Sequence, residues 1–152
     1  MFTTYVDDSG HEDSIRSKVL VAAGFLAFVD QWLRFEDEWP KMLSRLGLPS
    51  CFHTADFIAG TGEFSDWKGK KRAQKHVLRS LAAAIKLRVR RTLNQSIVLD
   101  DYARVDKVYH LREAHGYPFT IAVRTCWKDI NEWKLRYNPE ASVKLVIEDG
   151  VK

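Results

Sequence analysis

The chain has 152 residues, of which 45% are hydrophobic, 29% are charged and 12% are aromatic. This is the composition of a folded protein with a core of its own, and it excludes a disordered or fibrous segment. The longest apolar run, Val19 to Val29, is far shorter than the roughly 20 residues of a membrane helix. The N-terminus lacks the basic and then apolar order of a signal peptide, so we expect a soluble cytoplasmic protein with no membrane partner.

The net charge of +4 conceals a strong asymmetry along the chain. Residues 67–99 contain ten basic residues and no acidic one, so the remaining residues include six more acidic than basic side chains. A basic segment in an otherwise acidic protein favours a polyanionic partner such as nucleic acid, and the alternative is a solvated helix face. The basic residues are Lys68, Lys70, Lys71, Arg72, Lys75, Arg79, Lys86, Arg88, Arg90 and Arg91.

The N-terminal segment predicts two antiparallel strands. Thr3 to Val6 contains residues that favour strands, and the sequence Asp-Asp-Ser-Gly that follows favours a turn. The apolar stretch within Lys18 to Phe28 predicts a second strand that is buried on both faces. A polar loop joins the two, which indicates a hairpin.

Two helices and a short strand are expected next. Apolar residues recur at helical spacing from Asp30 until Gly47, and Pro40 either kinks this helix or begins a second one. Cys51 to Asp56 is predicted as a short strand or an extended crossing. From Lys70 to Lys86, apolar residues form one face of a long helix and basic residues form the other.

The C-terminal third predicts strand, helix and strand in turn. Val89 to Leu99 has strand character, and a polar segment follows it. Pro118 begins a helix that ends at Asn138-Pro139, and Ser142 to Ile147 forms the last strand. Strands separated by helices imply parallel neighbours, so we expect one α/β domain over residues 1–152 with a mixed sheet covered by helices.

Acidic residues follow three of the predicted strands. Asp7 ends the first strand, Asp100 or Asp101 follows the strand over Val89 to Leu99, and Glu148 or Asp149 follows the last one. Open sheets place function at the carboxyl ends of parallel strands, and clustered carboxylates are stabilised by Mg²⁺ or Mn²⁺. Two such ions about 4 Å apart promote phosphodiester hydrolysis. The alternative is that these acidic residues only form turns in water.

Three segments together resemble a known family. They are Tyr5 to Gly10 with its Asp-Asp-Ser-Gly sequence, the apolar strand Val19 to Phe25 with the aromatic-rich helix after it, and Phe52 to Asp56. The chain resembles domain-of-unknown-function family 3800, whose members begin with Asp-Glu-Ser-Gly and are regarded as having a ribonuclease-H-like fold. Asp8 replaces the glutamate of that motif.

The resemblance implies a ribonuclease-H-like mixed sheet and a set of metal ligands. Asp7 would be the ligand from the first strand, and Asp100 or Asp101 the second carboxylate. Glu148 and Asp149 are the acidic residues available later in the chain. Domains of this fold generally continue into another helix after the last strand, so the resemblance also implies a domain truncated at its C-terminus.

The function predicted is therefore metal-dependent hydrolysis of nucleic acid. Asp7, Asp100 and Glu148 would act in catalysis, with Asp149 as a further metal ligand. The phosphate backbone would be held, without sequence specificity, by Arg72, Lys75, Arg79 and Lys86. One alternative is a non-catalytic module of the same fold that binds nucleic acid or protein. Another is a homo-oligomer that associates through its aromatic helices.

The cysteines and most of the tryptophans are expected to have structural roles. Cys51 and Cys126 imply no disulfide framework, and we expect both to be reduced residues in or near the core. Cys51 and His53 would share a strand face without the third group that nucleophilic catalysis usually requires. Trp67 introduces the basic helix and either packs or stacks on a base. The tryptophans expected in the core or in a subunit interface are Trp32, Trp39, Trp127 and Trp133.

Overall fold

Four strands make up the sheet in the described part of the chain. The computed structural model describes residues 1–9 and 18–147. The strands are β1 (Phe2–Ser9), β2 (Val19–Phe28), β3 (Arg91–Val98) and β4 (Val143–Ile147). They lie side by side in the order β3-β2-β1-β4. The sheet is mixed, because β1 is antiparallel to β2 and parallel to β4, and β2 is antiparallel to β3.

Helices make up most of the rest of the described chain. They are α1 (Val29–Arg45), α2 (Thr54–Ala59), α3 (Lys71–Arg88), α4 (Leu99–Tyr109), α5 (Leu111–His115), α6 (Pro118–Tyr137) and a 3-10 helix over Gly62–Trp67. The chain divides into two compact units, a sheet unit of Met1–Phe28 with Arg90–Lys152 and a helical unit of Val29–Val89. Among the described residues, none of the helices has both the length and the apolarity required to cross a membrane.

One face of the sheet packs against α6. Side chains alternate between the two faces of a strand, so Phe2 and Val6 of β1 point to the same face. They join a buried cluster to which β2 contributes Leu20, Ala22 and Leu26, β3 contributes Leu93, and α6 contributes Ala122, Val123, Cys126 and Ile130. The α6 residues recur at helical spacing, and the helix predicted from Pro118 onward is confirmed. A hydrogen bond from Gln95 Nε2 to Asp129 Oδ2 (3.0 Å) ties β3 to α6.

The helical unit has a separate core. It consists of Leu43, Leu48, Phe57, Phe64, Val77 and Leu81. The side chain of Gln74 is buried beside this core, and its Nε2 donates to the carbonyl oxygen of Phe57 at 2.5 Å. Gly60 ends α2 at φ +66°, where a Cβ atom would lie 2.6 Å from the Cα of Lys68. A glycine is therefore required at this turn.

The main architectural predictions are confirmed. The protein is α/β, begins with an antiparallel hairpin and has a mixed sheet flanked by helices. α3 matches the predicted basic helix, and α1 continues through Pro40 to Arg45 as a single helix. The ribonuclease-H-like identity and the single domain over residues 1–152 stay predictions.

Two local predictions are wrong, and one segment had no predicted element. Cys51 to Asp56 is not a strand, because α2 begins at Thr54 and turns its Phe57 into the core of the helical unit. The polar segment after Asp101 forms α4 and α5. β2 and β3 pair antiparallel although helices separate them, since those helices fold around their own core and are not a crossover between parallel strands.

Candidate functional site

Asp7 lies near the carboxyl end of β1 and is exposed. Strand alternation places Asp7 on the same face as Tyr5 and Ser9, opposite the face that packs against α6. The backbone N–H of Asp8 donates to Asp7 Oδ1 at 2.7 Å, which orients the carboxylate. Asp8 is also exposed, but its side chain belongs to the other face. Of the two acidic residues of β1, Asp7 is therefore the one on the sheet face opposite α6, which we call the open face.

A groove runs along this open face beside Asp7. It has a volume of about 560 Å³, and the residues that line it come from β1, β2 and β4. Tyr5 lies opposite Phe25 on β2 and level with Val146 on β4. Asp7 lies opposite Ala23, whose small side chain leaves space beside the carboxylate. The groove thus has apolar walls next to an acidic strand end.

The register of the sheet keeps Asp100 away from Asp7. The β3 residue level with Asp7 is Asn94, since both pair with Ala23. The last residue of β3, Val98, pairs with Val19, which precedes Ala23 by four residues in β2. Strand geometry then separates Val98 from Asp7 by about 13 Å along the strands and about 10 Å across them. The structure does not bring these two predicted ligands together.

Asp100 and Asp101 have a structural explanation in α4. Both lie in the first turn of this helix, where negative charge interacts favourably with the helix dipole. Asp101 also accepts a hydrogen bond from Arg104 at 2.7 Å. These contacts stabilise the helix terminus without any bound ligand.

The remaining predicted ligands follow β4 in the sequence. Ile147, the last residue of β4, pairs with Val6 in parallel register. Glu148 and Asp149 come next in the chain and lie outside the described residues. Within residues 1–9 and 18–147, no three His, Cys, Asp or Glu side chains form a group that could hold a metal ion.

The donor chemistry at Asp7 suits a hard divalent cation. Mg²⁺ is usually bound in proteins through one or two carboxylates and keeps several of its waters. An exposed carboxylate beside an open groove fits this mode of binding. Asp7 would supply one oxygen ligand, and Glu148 and Asp149 are the further candidates from the sequence.

The predicted nucleic-acid contacts form a basic stripe on α3, defined as Arg72, Lys75, Arg79 and Lys86. All four side chains are exposed, and among the described residues none of them forms an ion pair. The stripe is about 21 Å long and faces away from the buried side of the helix. Arg88 of the same helix differs, because Glu38 accepts hydrogen bonds from it. The stripe is thus free to bind an external anion.

Neither cysteine has a complete catalytic arrangement. Cys51 is exposed, contrary to expectation, and its Sγ lies 3.3 Å from His53 Nε2. The described residues provide no hydrogen bond that would orient the His53 ring from its other nitrogen. Cys126 is buried as expected, and desolvation, with the nearby negative charge of Asp129, raises the pKa of its thiol. Cys126 is therefore a packing residue.

Most tryptophans are explained by packing. Trp39 packs against the core of the helical unit, and Trp127 and Trp133 pack against that of the sheet unit, which confirms the core interpretation for these three. Trp67 packs against Phe57, with 5.0 Å between the two ring centres. Trp32 contacts Phe35 of the same helix.

The sequence alone does not identify the aromatic side chains beside Asp7. Tyr5 and Phe25 lie on the open face, and alternation in Thr3-Thr4-Tyr5-Val6-Asp7 is the signal that places Tyr5 with Asp7.

Comparisons of the chain with family models, with curated proteins and with solved structures gave no match. The resemblance to family 3800 accordingly stays a sequence-based prediction.

Proposed function

We propose that this protein cleaves phosphodiester bonds in nucleic acid with a Mg²⁺ or Mn²⁺ ion held at Asp7. The observation that carries the proposal is the parallel pairing of β1 with β4, in which Val6 is level with Ile147. Asp7 follows Val6 in the sequence, and Glu148 follows Ile147. Adjacent parallel strands that lead into carboxylates are a common basis for a functional site in α/β sheets.

The chain's own groups have separate tasks in this reaction. Asp7 binds the ion, and the Asp8 N–H holds the Asp7 carboxylate in one orientation. The basic stripe binds backbone phosphates through charge alone, without reading sequence. A bound divalent ion supplies Lewis acidity to the phosphoryl group. Asp100 is not needed for this arrangement, and the additional ligands are Glu148 and Asp149.

Cleavage of a labelled single-stranded oligonucleotide tests the proposal. The wild-type protein should cleave in Mg²⁺ or Mn²⁺ and not in EDTA. Asp7→Asn should abolish cleavage, whereas Asp8→Asn, which changes the neighbouring carboxylate on the other face, should retain it. Wild-type activity in Asp7→Asn, or no metal-dependent cleavage by the wild-type protein, would contradict the proposal.

A second candidate function is nucleic-acid binding without catalysis. The basic stripe favours it, because four exposed cations on one helix face have no acidic partner within the described residues. Such a protein would bind nucleic acid equally well in EDTA and in Asp7→Asn. It would lose affinity only when the stripe is neutralised, and it would show no cleavage under any metal condition.

A further inference from the structure

β3 forms one edge of the sheet, because among the described residues its only strand neighbour is β2. The last bond of this pair runs from the Leu99 N–H to the Lys18 carbonyl oxygen at 3.0 Å. Hydrogen-bonded positions recur at every second residue of an antiparallel pair, so the odd-numbered residues of β3 point their backbone groups at β2. The residues whose backbone groups point away from the sheet are therefore Thr92, Asn94, Ser96 and Val98.

This outward edge is accessible along its whole length. All four of these residues are exposed. Val98 also caps α4, and the carbonyl oxygen of a capping residue accepts the first bond of its helix. The edge thus presents four N–H groups and, from the first three residues, three C=O groups to a further strand.

β3 lacks the features that normally protect a sheet edge. Protected edges are short or carry lysine or proline. The opposite edge, β4, follows this rule, because it has five residues and an exposed Lys144. β3 has eight residues, and from Thr92 to Val98 it contains neither a charged residue nor a proline. A long, uncharged edge of this kind is a template for pairing with another strand.

We propose that β3 pairs antiparallel with β3 of a second copy of this chain, which joins the two sheets into one of eight strands. Two identical strands that pair antiparallel are related by a twofold axis, so one edge supplies the donors and acceptors on both sides. The proposal depends neither on Asp7 nor on a bound metal.

The charges at the two ends of β3 favour a second copy and set the register. Arg90 precedes β3 and Asp100 follows it in the first turn of α4. Both are exposed, both belong to the sheet unit, and neither forms an ion pair within the described residues. With Asn94 opposite Ser96 of the second copy, Arg90 of each copy comes close to Asp100 of the other. About six backbone hydrogen bonds then join the two strands.

Sedimentation equilibrium from micromolar to millimolar concentrations tests the proposal. The wild-type protein should form a dimer of twice the chain mass of 17.6 kDa. Asn94→Pro removes one outward N–H and no bond to β2, a change that an edge strand tolerates. This variant should be monomeric where the wild type is dimeric, and circular dichroism verifies that it is folded. The matched control Asn94→Thr keeps the N–H and should dimerise normally.

Two results would overturn the proposal. One is a wild-type protein that stays monomeric at every concentration. The other is a folded Asn94→Pro variant that dimerises as well as the wild type, because the dimer would then use another surface, such as the aromatic helices.

Charge pairs test the register. Asn94→Lys/Ser96→Lys places like charges opposite each other across the junction and should weaken dimerisation about fivefold or more. Asn94→Glu/Ser96→Lys places opposite charges at the same positions and should dimerise nearly as well as the wild type. Equal dimerisation by the two folded double variants would overturn the antiparallel pairing.

Cysteine cross-linking provides a readout that also detects a weak dimer. In this register Gln95 lies on the twofold axis, where the two Cα atoms are about 4.5 Å apart, a separation that a disulfide can span. Gln95→Cys, in a Cys51→Ser background, should form a disulfide-linked dimer on mild oxidation. Thr92→Cys should not, because the two copies of this residue lie far apart along the strands. Cross-linking of Thr92→Cys and not of Gln95→Cys would overturn the proposal.

Discussion

Asp7 lies directly opposite Ala23 in the antiparallel pair of β1 and β2, and both residues face the groove. The short alanine side chain therefore determines how close a substrate can come to the carboxylate. Ala23→Leu should fill this part of the groove without touching the ligand atoms of Asp7. Because Ala23 is exposed, the larger side chain does not overpack the core.

We expect Ala23→Leu to lower oligonucleotide cleavage by at least about tenfold, the scale of a lost or obstructed binding contact. Mn²⁺ affinity measured by calorimetry should remain within about twofold of the wild type. Ala23→Ser, which adds little volume, should cleave normally. Equal cleavage by the leucine variant would show that substrate does not occupy the groove.

The basic stripe predicts a specific salt dependence. Replacing Arg72, Lys75, Arg79 and Lys86 together by glutamine should weaken binding to single-stranded oligonucleotides. It should also reduce the slope of log K against log salt by about 0.7 for each phosphate contact that is lost. Fluorescence anisotropy at several salt concentrations measures this slope.

The control variant removes the same number of positive charges from exposed residues outside the basic stripe. These residues are Lys41, Arg104, Lys107 and Lys128. Three of them already have acidic partners within their own helices. Their replacement by glutamine should leave the slope nearly unchanged. The same loss in both quadruple variants would mean that only the net charge matters.

Gly24 is required by the close approach of β1 and β2. A Cβ atom at this position would lie 2.3 Å from the carbonyl oxygen of Tyr5 and 2.8 Å from a methyl group of Val6. Gly24→Ala should therefore destabilise the protein by about 1–3 kcal/mol, the usual cost of overpacking. Urea unfolding monitored by circular dichroism gives the free energy of unfolding. The prediction does not hold if Gly24→Ala is as stable as Ala23→Ser, the neighbouring change on the open face.

The two thiols should differ in reactivity. Cys51 is exposed, whereas Cys126 is buried and burial raises the pKa of its thiol. Iodoacetamide at neutral pH should modify Cys51 rapidly and Cys126 only after unfolding, which peptide mass spectrometry can follow. Fast modification of Cys126 in the folded protein would contradict its burial.

The raised pKa of Cys126 also affects stability at alkaline pH. At neutral pH the thiol is protonated in both the folded and the unfolded protein, so its ionisation does not affect the free energy of unfolding. Because burial raises the pKa of the folded thiol, the unfolded chain ionises first as the pH rises through the alkaline range, and stability is lost. Cys126→Ala should weaken this alkaline decrease, as urea unfolding at several pH values would show.

The sequence specifies the elements more fully than their arrangement. The β-branched residues before Asp7 and the helical spacing after Pro118 predict β1 and α6, because these patterns are local. α2 is not predicted, because its single buried side chain, Phe57, gives no periodic pattern. The direction of β3 is set by its antiparallel pairing with β2, a long-range contact that no local pattern reports.

In the candidate site, too, the sequence predicts local features but not the contacts that depend on strand pairing. Asp7 can be identified from the sequence, because the turn sequence Asp-Asp-Ser-Gly directly follows residues that favour a strand and so places Asp7 at its end. The separation of Asp100 from Asp7 is set by the pairing of Val98 with Val19, a register that the sequence does not specify. Phe25 joins the site only through its pairing with Tyr5, for the same reason.

The central claim is that Asp7 holds a divalent cation. Calorimetric titration of Mn²⁺ into the wild-type protein, Asp7→Asn and Asp8→Asn tests it most directly, with circular dichroism to verify that each variant is folded. We predict saturable binding by the wild type and by Asp8→Asn, and no binding by Asp7→Asn. Saturable binding by Asp7→Asn with wild-type affinity, or no binding by the wild-type protein, would contradict the claim.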